Sequence, residues 1–254
     1  MVRRAAALLG PRRALALVGL TAALAAYTAG ADRLWQAGLW PDLLFLTLVL
    51  FPATFGLIWL GLPLARLGNL LLVAGLGLAG AAVLLRLAEL DVLFNLAKLF
   101  ALVAIGFWFL SYFETVLWAG LVAVIIPWVD IVSVWRGPTN YIVSEQPSVF
   151  VNLAIAFRVP GERGAASLGP PDVLFFALFL AAADRFGLRV AWTWIAMTAL
   201  LGGTLILTAT TDVDGLPALP AICIGFLLPN ADLLWRELRS AKRPPGDTPA
   251  DDAK

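Results

Sequence analysis

Residues 115–135 read TVLWAGLVAVIIPWVDIVSVW, a stretch with one ionisable side chain, Asp130. As a helix rising about 1.5 Å per residue it extends about 30 Å, the thickness of a bilayer's hydrocarbon core. Comparable apolar blocks lie near 14–31, 42–64, 69–88, 92–112, 168–187, 190–210 and 216–235, divided by short charged or Gly/Pro-containing turns. The chain is therefore expected to be an all-α polytopic membrane protein of about eight transmembrane helices. Seven or nine stay open, because almost no loop divides the blocks at Glu89/Asp91 and at 111–114, and Pro52 interrupts the second.

Composition agrees: of 254 residues, 61% are hydrophobic and 14% charged, against about a quarter charged in soluble proteins. With no His, a Ser/His/Asp triad, a His-ligated zinc, a haem His ligand and an H-E-x-x-H metalloprotease motif each lack a key residue. Cys223 is the single cysteine, so no intramolecular disulfide forms, and its apolar surroundings read as those of a buried structural thiol. A net charge of +1 without a dense basic run excludes nucleic acid as a partner and leaves the lipid bilayer as the medium.

The N-terminal Arg3, Arg4, Arg12 and Arg13 precede an apolar run that resembles a secretory signal, but the many spans that follow make it a first helix that stays attached. With eight spans, and leaving out Lys98 inside its span, twelve Lys and Arg residues fall on the side of the termini and five on the other, which places both termini in the cytoplasm. Richness in Ala, Leu, Gly and Arg suggests a prokaryotic cell membrane. Residues 1–113 are expected to form scaffold helices, 114–236 a catalytic-type cluster with an outer loop at 137–167, and 237–254 a cytoplasmic disordered tail. Within that loop Val151, Leu153, Ile155, Phe157 and Val159 alternate with Asn152, Ala154, Ala156 and Arg158, and a period of two predicts a β-strand over 151–159. Trp35, Trp40, Trp128, Trp135 and Trp235 fall near span ends, as an interfacial belt would. Gly75, Gly77 and Gly80 are candidates for close helix packing.

An ionisable group inside a span costs about 3 kcal/mol on insertion scales, so each needs a reason. Arg86, Glu89, Asp91, Glu114, Asp184 and Arg185 sit at span ends and read as boundary residues. Lys98 is close enough to an end to snorkel or pair with Asp91, a structural role. Asp130 and Asp172 are left. Measured from the opposite ends of their spans they lie at about 24 and 18 Å, a difference that helix tilt can close. Two such carboxylates brought together share one proton, so that one takes a proton from water while the other donates to a carbonyl oxygen. That is aspartic-protease chemistry, with no His, metal or cofactor. The same pair could instead hold helices together or bind a cation. Gly169, Pro170 and Pro171 precede Asp172, and Pro217, Ala218, Leu219 and Pro220 open the last span from the same side. Paired prolines suit a helix's first turn and not its interior, so both segments predict irregular helix entries where water and a substrate backbone can approach.

Together these motifs resemble the presenilin and signal peptide peptidase family of intramembrane aspartyl proteases. Asp130 in Trp128-Val129-Asp130 matches that family's Tyr-Asp motif, Asp172 in Leu168-Gly169-Pro170-Pro171-Asp172 its Gly-x-Gly-Asp motif, and Pro217-Ala218-Leu219 its Pro-Ala-Leu motif, in the same order. The resemblance covers roughly residues 115–235, and Val129 and Pro171 depart from the pattern. It implies a presenilin-like catalytic helix cluster, in a family that usually has nine spans, with catalytic Asp130 and Asp172 and substrate contacts at Gly169, Pro217, Ala218 and Leu219. It also implies a transmembrane peptide or membrane-protein substrate beside the loop strand. A non-catalytic helix-binding scaffold and an ion-coupled transporter are the alternatives the residues leave open.

Overall fold

In hydrocarbon each backbone N–H and C=O must find its partner within the segment, so apolar blocks of this length have one solution, the helix. The structure, a computed structural model, describes residues 2–136, 152–162, 164–211 and 216–241. Every one of the expected apolar blocks is helical. α1 (Val2–Gly30) turns at Gly10, where φ is 66°, just before Pro11. The second block is one continuous rod, Leu39–Leu67. It comprises α2 (Leu39–Phe45), a wide π-turn at Leu46–Leu50, α3 (Phe51–Gly61) and a tighter 3-10 segment at Leu62–Leu67. Pro52 does not cut this block, because it stands in the first turn of α3, after the ladder has already widened. α4 (Leu70–Leu87), α5 (Asp91–Phe109) and α6 (Val116–Arg136) follow. Then come β1 (Ile155–Arg158), β2 (Ala165–Leu168), α7 (Pro170–Arg185), α8 (Val190–Thr210) and α9 (Leu219–Ala241).

Six of these segments are long and apolar enough to cross a membrane on their own, which makes the chain a multi-pass α-helical membrane protein and differs from the expected eight. The two that fall short are α7 and α9. α7 has 16 residues, about 24 Å of helix, and is enclosed by protein: Phe176 through Ala183 are buried on every face. A helix surrounded by other helices need not match the lipid thickness. α9 carries Asp232, Arg236, Glu237 and Arg239 in its second half, which dilutes its apolar character.

α7 is the axis around which the others pack. Phe176 stacks on Phe55 of α3 at 4.0 Å between ring centroids, and Phe179 stacks on Phe226 of α9 at 4.8 Å. α5 meets α7 backbone to backbone at Gly106, where a Cβ would stand 2.5 Å from the Leu174 carbonyl oxygen. α8 and α9 approach in the same way at Gly225, where a Cβ would stand 2.6 Å from Met197 Cα. Of the three glycines in α4 only Gly75 is a packing contact, facing Ile105, while Gly77 and Gly80 have nothing within 4 Å of an added Cβ. One hydrophobic cluster runs from Leu46 to Phe226. Trp35, Trp40, Trp128 and Trp235 are exposed.

The described residues just before α7 form a two-stranded antiparallel sheet pairing Ile155 with Leu168 and Phe157 with Ala166. The expected strand over 151–159 is shorter than its alternation suggested: Asn152 and Leu153 are helical, Ala154 is a bend, and Val151 lies outside the described residues. Alternation records which side chains face inward, and it continues past the point where a pairing partner ends. Residues 242–254 also lie outside the described residues. Glu237 through Ala241, assigned above to a disordered tail, are instead the last turn of α9.

Candidate functional site

Asp130 sits in the last third of α6, one turn after Pro127, whose missing N–H leaves a gap in the helical ladder just before it. Its side chain is half-buried, and its Oδ2 accepts a hydrogen bond from the Leu219 backbone N–H at 3.1 Å. Leu219 is the first residue of α9, so that N–H is one of the donors a helix start leaves unpaired. The Pro217-Ala218-Leu219 segment is thereby tied directly to the first aspartate. Pro217 and Ala218 are half-buried and Leu219 buried, and the Ala218 carbonyl accepts from Ala221 N–H at 3.1 Å to begin the helix.

Asp172 is the third residue of α7. Pro170 and Pro171 form the first turn, where their missing donors cost nothing, and Gly169 caps it in an extended conformation (φ −63°, ψ 149°). Asp172 N–H donates to the Gly169 carbonyl at 3.1 Å, and Gly169 N–H donates back to Asp172 Oδ2 at 3.0 Å. This reciprocal bond turns the carboxylate toward the helix entry. A Cβ at Gly169 would meet the same Oδ2 at 3.0 Å, so the glycine lets the carboxylate lie close to the chain. Asp172 is buried, and the Asp130 carboxylate lies within electrostatic reach of it.

All six residues singled out from the sequence therefore fall into two linked clusters, Asp130 with Pro217, Ala218 and Leu219, and Asp172 with Gly169. Cys223, one turn along α9 from Leu219, is buried as expected, but it also falls within reach of the Asp130 charge. Leu219 and Cys223 share a helix face, and only the structure brings that face to Asp130.

Several contacts around β1 were not legible beforehand. Lys98 does not pair with Asp91, which is bound by Arg86 at 2.9 Å. Lys98 Nζ instead donates to the carbonyls of Asn152, at 3.0 Å, and Ala154, and lies 4.2 Å from the Phe94 ring centroid. Asn95 bonds Ala156 twice, Nδ2 to the carbonyl and Oδ1 from the N–H, each at 2.9 Å. Tyr27 Oη donates to the Arg158 carbonyl at 2.8 Å. Backbone groups of alternate strand residues point the same way, so 154, 156 and 158 all face α5 and α1, and 155 and 157 face β2. Both edges of β1 are thus occupied, and the expectation that this strand pairs with a substrate is corrected. On β2 the residues opposite Ile155 and Phe157 are Leu168 and Ala166, leaving the backbone of Ala165 and Ser167 on the outer edge.

Asp42, at the start of α2, is a further buried carboxylate that the sequence reading passed over; among the described residues its Oδ1 has no hydrogen-bond partner. Two clefts in the described surface lie away from Asp130 and Asp172, around Thr28, Asp91 and Arg158.

Comparison with protein-family models, with curated proteins and with solved structures returned no match.

Proposed function

We propose that this protein is an intramembrane aspartic endopeptidase of the presenilin and signal peptide peptidase type, cutting peptide bonds within transmembrane segments. The observation that carries the reading is the hydrogen bond from Leu219 N–H to Asp130 Oδ2, with Asp172 within electrostatic reach. The Pro-Ala-Leu segment is bonded to the first aspartate and Gly169 to the second, an arrangement that supports the two-carboxyl step with no metal or cofactor required for it.

The Asp130 and Asp172 carboxyls hold one proton between them. The ionised member takes a proton from a water molecule, and the water oxygen bonds to the scissile carbonyl carbon. The protonated member gives its proton to the carbonyl oxygen. The resulting gem-diol returns a proton to the pair, the C–N bond breaks, and the nitrogen leaves as an amine after receiving a proton. A substrate helix must unwind first, because an intact helix encloses its carbonyls. The outer edge of β2 offers the unwound segment a strand to pair with, four residues before Asp172, and Gly169 lets it approach the dyad. Pro217 and Ala218 form the opposing wall. Both termini lie in the cytoplasm in this reading, with eight helical segments in the bilayer region and the sheet on the outer side.

The non-catalytic helix-binding scaffold is favoured by one feature, that each carboxylate already bonds a backbone amide and could serve to fasten helix ends. The deciding experiment is cleavage of tagged single-span peptides by the purified protein in liposomes, beside Asp130→Asn and Asp172→Asn, with products identified by mass. The protease reading expects a specific intramembrane cut that both variants lose while peptide capture persists. Substantial cleavage by either variant sinks the two-carboxylate mechanism, and capture without any cut by the unaltered protein supports the scaffold.

A further inference from the structure

Two contiguous clefts open where α1 ends, where α4 turns into α5 and where β1 lies across them. One has a volume of about 360 Å³ and the other about 220 Å³, and Thr28, Asp91, Val92 and Arg158 line both. Their charges are sorted by position. The first adds Asp32 and Glu89, and the second adds Arg86 and Lys98. Arg86 and Asp91 are joined at 2.9 Å at the boundary between them, so one pole is acidic and the other basic.

The location limits what can enter. The C-termini of α1 and α4 and the N-terminus of α5 all stand at this end of the bundle, the level at which spans leave hydrocarbon for headgroups. Leu87, Leu90 and Leu93 beside the clefts are exposed. Glu89 is also held with φ at 58°, the position that closes α4, where Leu90 N–H reaches back to the Leu85 carbonyl at 3.0 Å. Glycine is the low-strain residue there, and a side chain is strained. Glu89 lines the acidic cleft from this position.

We propose that these clefts form a binding site for the zwitterionic headgroup of an ethanolamine-type phospholipid, its phosphate toward Arg86, Lys98 and Arg158 and its ammonium toward Asp32 and Glu89. Arginine and lysine match phosphate oxygens, and carboxylates accept the hydrogen bonds that a primary ammonium donates. A quaternary choline ammonium donates none and is recognised by aromatic cages. The acidic cleft has no aromatic lining residue. The acyl chains run down the exposed leucines into the bilayer. The site is separate from the aspartates and does not depend on the protease reading.

The full-length protein, stripped of lipid in detergent, is titrated with phosphatidylethanolamine, phosphatidylglycerol and phosphatidylcholine, and bound lipid is counted by native mass spectrometry. The expected result is one phosphatidylethanolamine held about five-fold or more tightly than the other two, with Arg86→Ala and Glu89→Gly each weakening it about five-fold. Glu89→Gly separates binding from folding, because glycine relieves the φ at that position and leaves Tm unchanged or higher. Equal retention of the three lipids, or unchanged retention in both variants, overturns the proposal. Free phosphoethanolamine distinguishes the sources of the headgroup: it is expected not to displace the lipid at equal concentration, and displacement would make a soluble headgroup the ligand and overturn the lipid assignment.

Discussion

Replacing Leu219 by Pro deletes a single hydrogen-bond donor from the aspartate cluster. Leu219 is the first residue of α9, a position where proline's fixed φ suits the helix and where the N–H has no partner within it. In this protein that N–H donates to Asp130 Oδ2 at 3.1 Å, so Leu219→Pro breaks the link between α9 and the first aspartate while the helix can still start. Leu219 is also buried, so its side chain must be controlled for, and Leu219→Ala removes the side chain while keeping the N–H. The difference between the two variants isolates the donor. A hydrogen bond to a charged group contributes about 1.5–3 kcal/mol, which at about 1.4 kcal/mol per decade is a fall of roughly 10- to 150-fold in kcat/KM beyond that of Leu219→Ala. Cleavage of a tagged single-span peptide in liposomes measures it, with Tm recorded for both variants. If Leu219→Pro cleaves as fast as Leu219→Ala at equal Tm, the Leu219 amide does not orient Asp130 and the reading of Pro217-Ala218-Leu219 as part of the site is wrong.

Cleavage should follow a bell-shaped dependence on pH, with activity lost at low pH when both carboxyls are protonated and at high pH when neither is; a profile with one limb only would remove the shared-proton scheme. Asn95→Leu deletes both bonds to Ala156 and should cost about 1–3 kcal/mol locally, seen as faster amide exchange over β1 and β2 with the helices unchanged. Unaltered exchange there would show that the sheet is held by its packing alone. Gly225→Ala should lower stability by about 1–3 kcal/mol because its Cβ would stand 2.6 Å from Met197 Cα, while Gly77→Ala, with nothing within 4 Å, should be neutral or stabilising. Thermal unfolding of the two variants side by side checks the α8–α9 contact, and equal Tm values would contradict it.

The helices were legible because their cause is local. A run such as 115–135 satisfies its own backbone, and its apolar side chains need only hydrocarbon or other helices around them, so each block is helical whatever its neighbours. The irregular entries were legible for a similar reason: prolines at 170 and 171 are acceptable in a first turn and nowhere deeper, which put Asp172 at the start of α7. Strand length was not, because pairing depends on a partner seven residues or more away. Lys98 shows the same limit. Its nearest acid in sequence is Asp91, yet Arg86 takes that acid and the carbonyls before β1 take the lysine.

What the sequence by itself determined is therefore the membrane class, the helical segments and the two aspartates inside them, properties set by composition and by spacing along one element. What only the tertiary structure decided is which residues meet: Leu219 N–H on Asp130, Phe55 and Phe226 on either side of α7, Asn95 closing the edge of β1. It also decided that a 16-residue helix can stand in the middle of the bundle, since enclosure by protein replaces the match to lipid thickness. The physical reason is one of range. Hydrophobic length and proline geometry act within a segment, whereas hydrogen bonds to helix ends and ring stacking join groups as far apart in sequence as residues 130 and 219, and only packing brings those together.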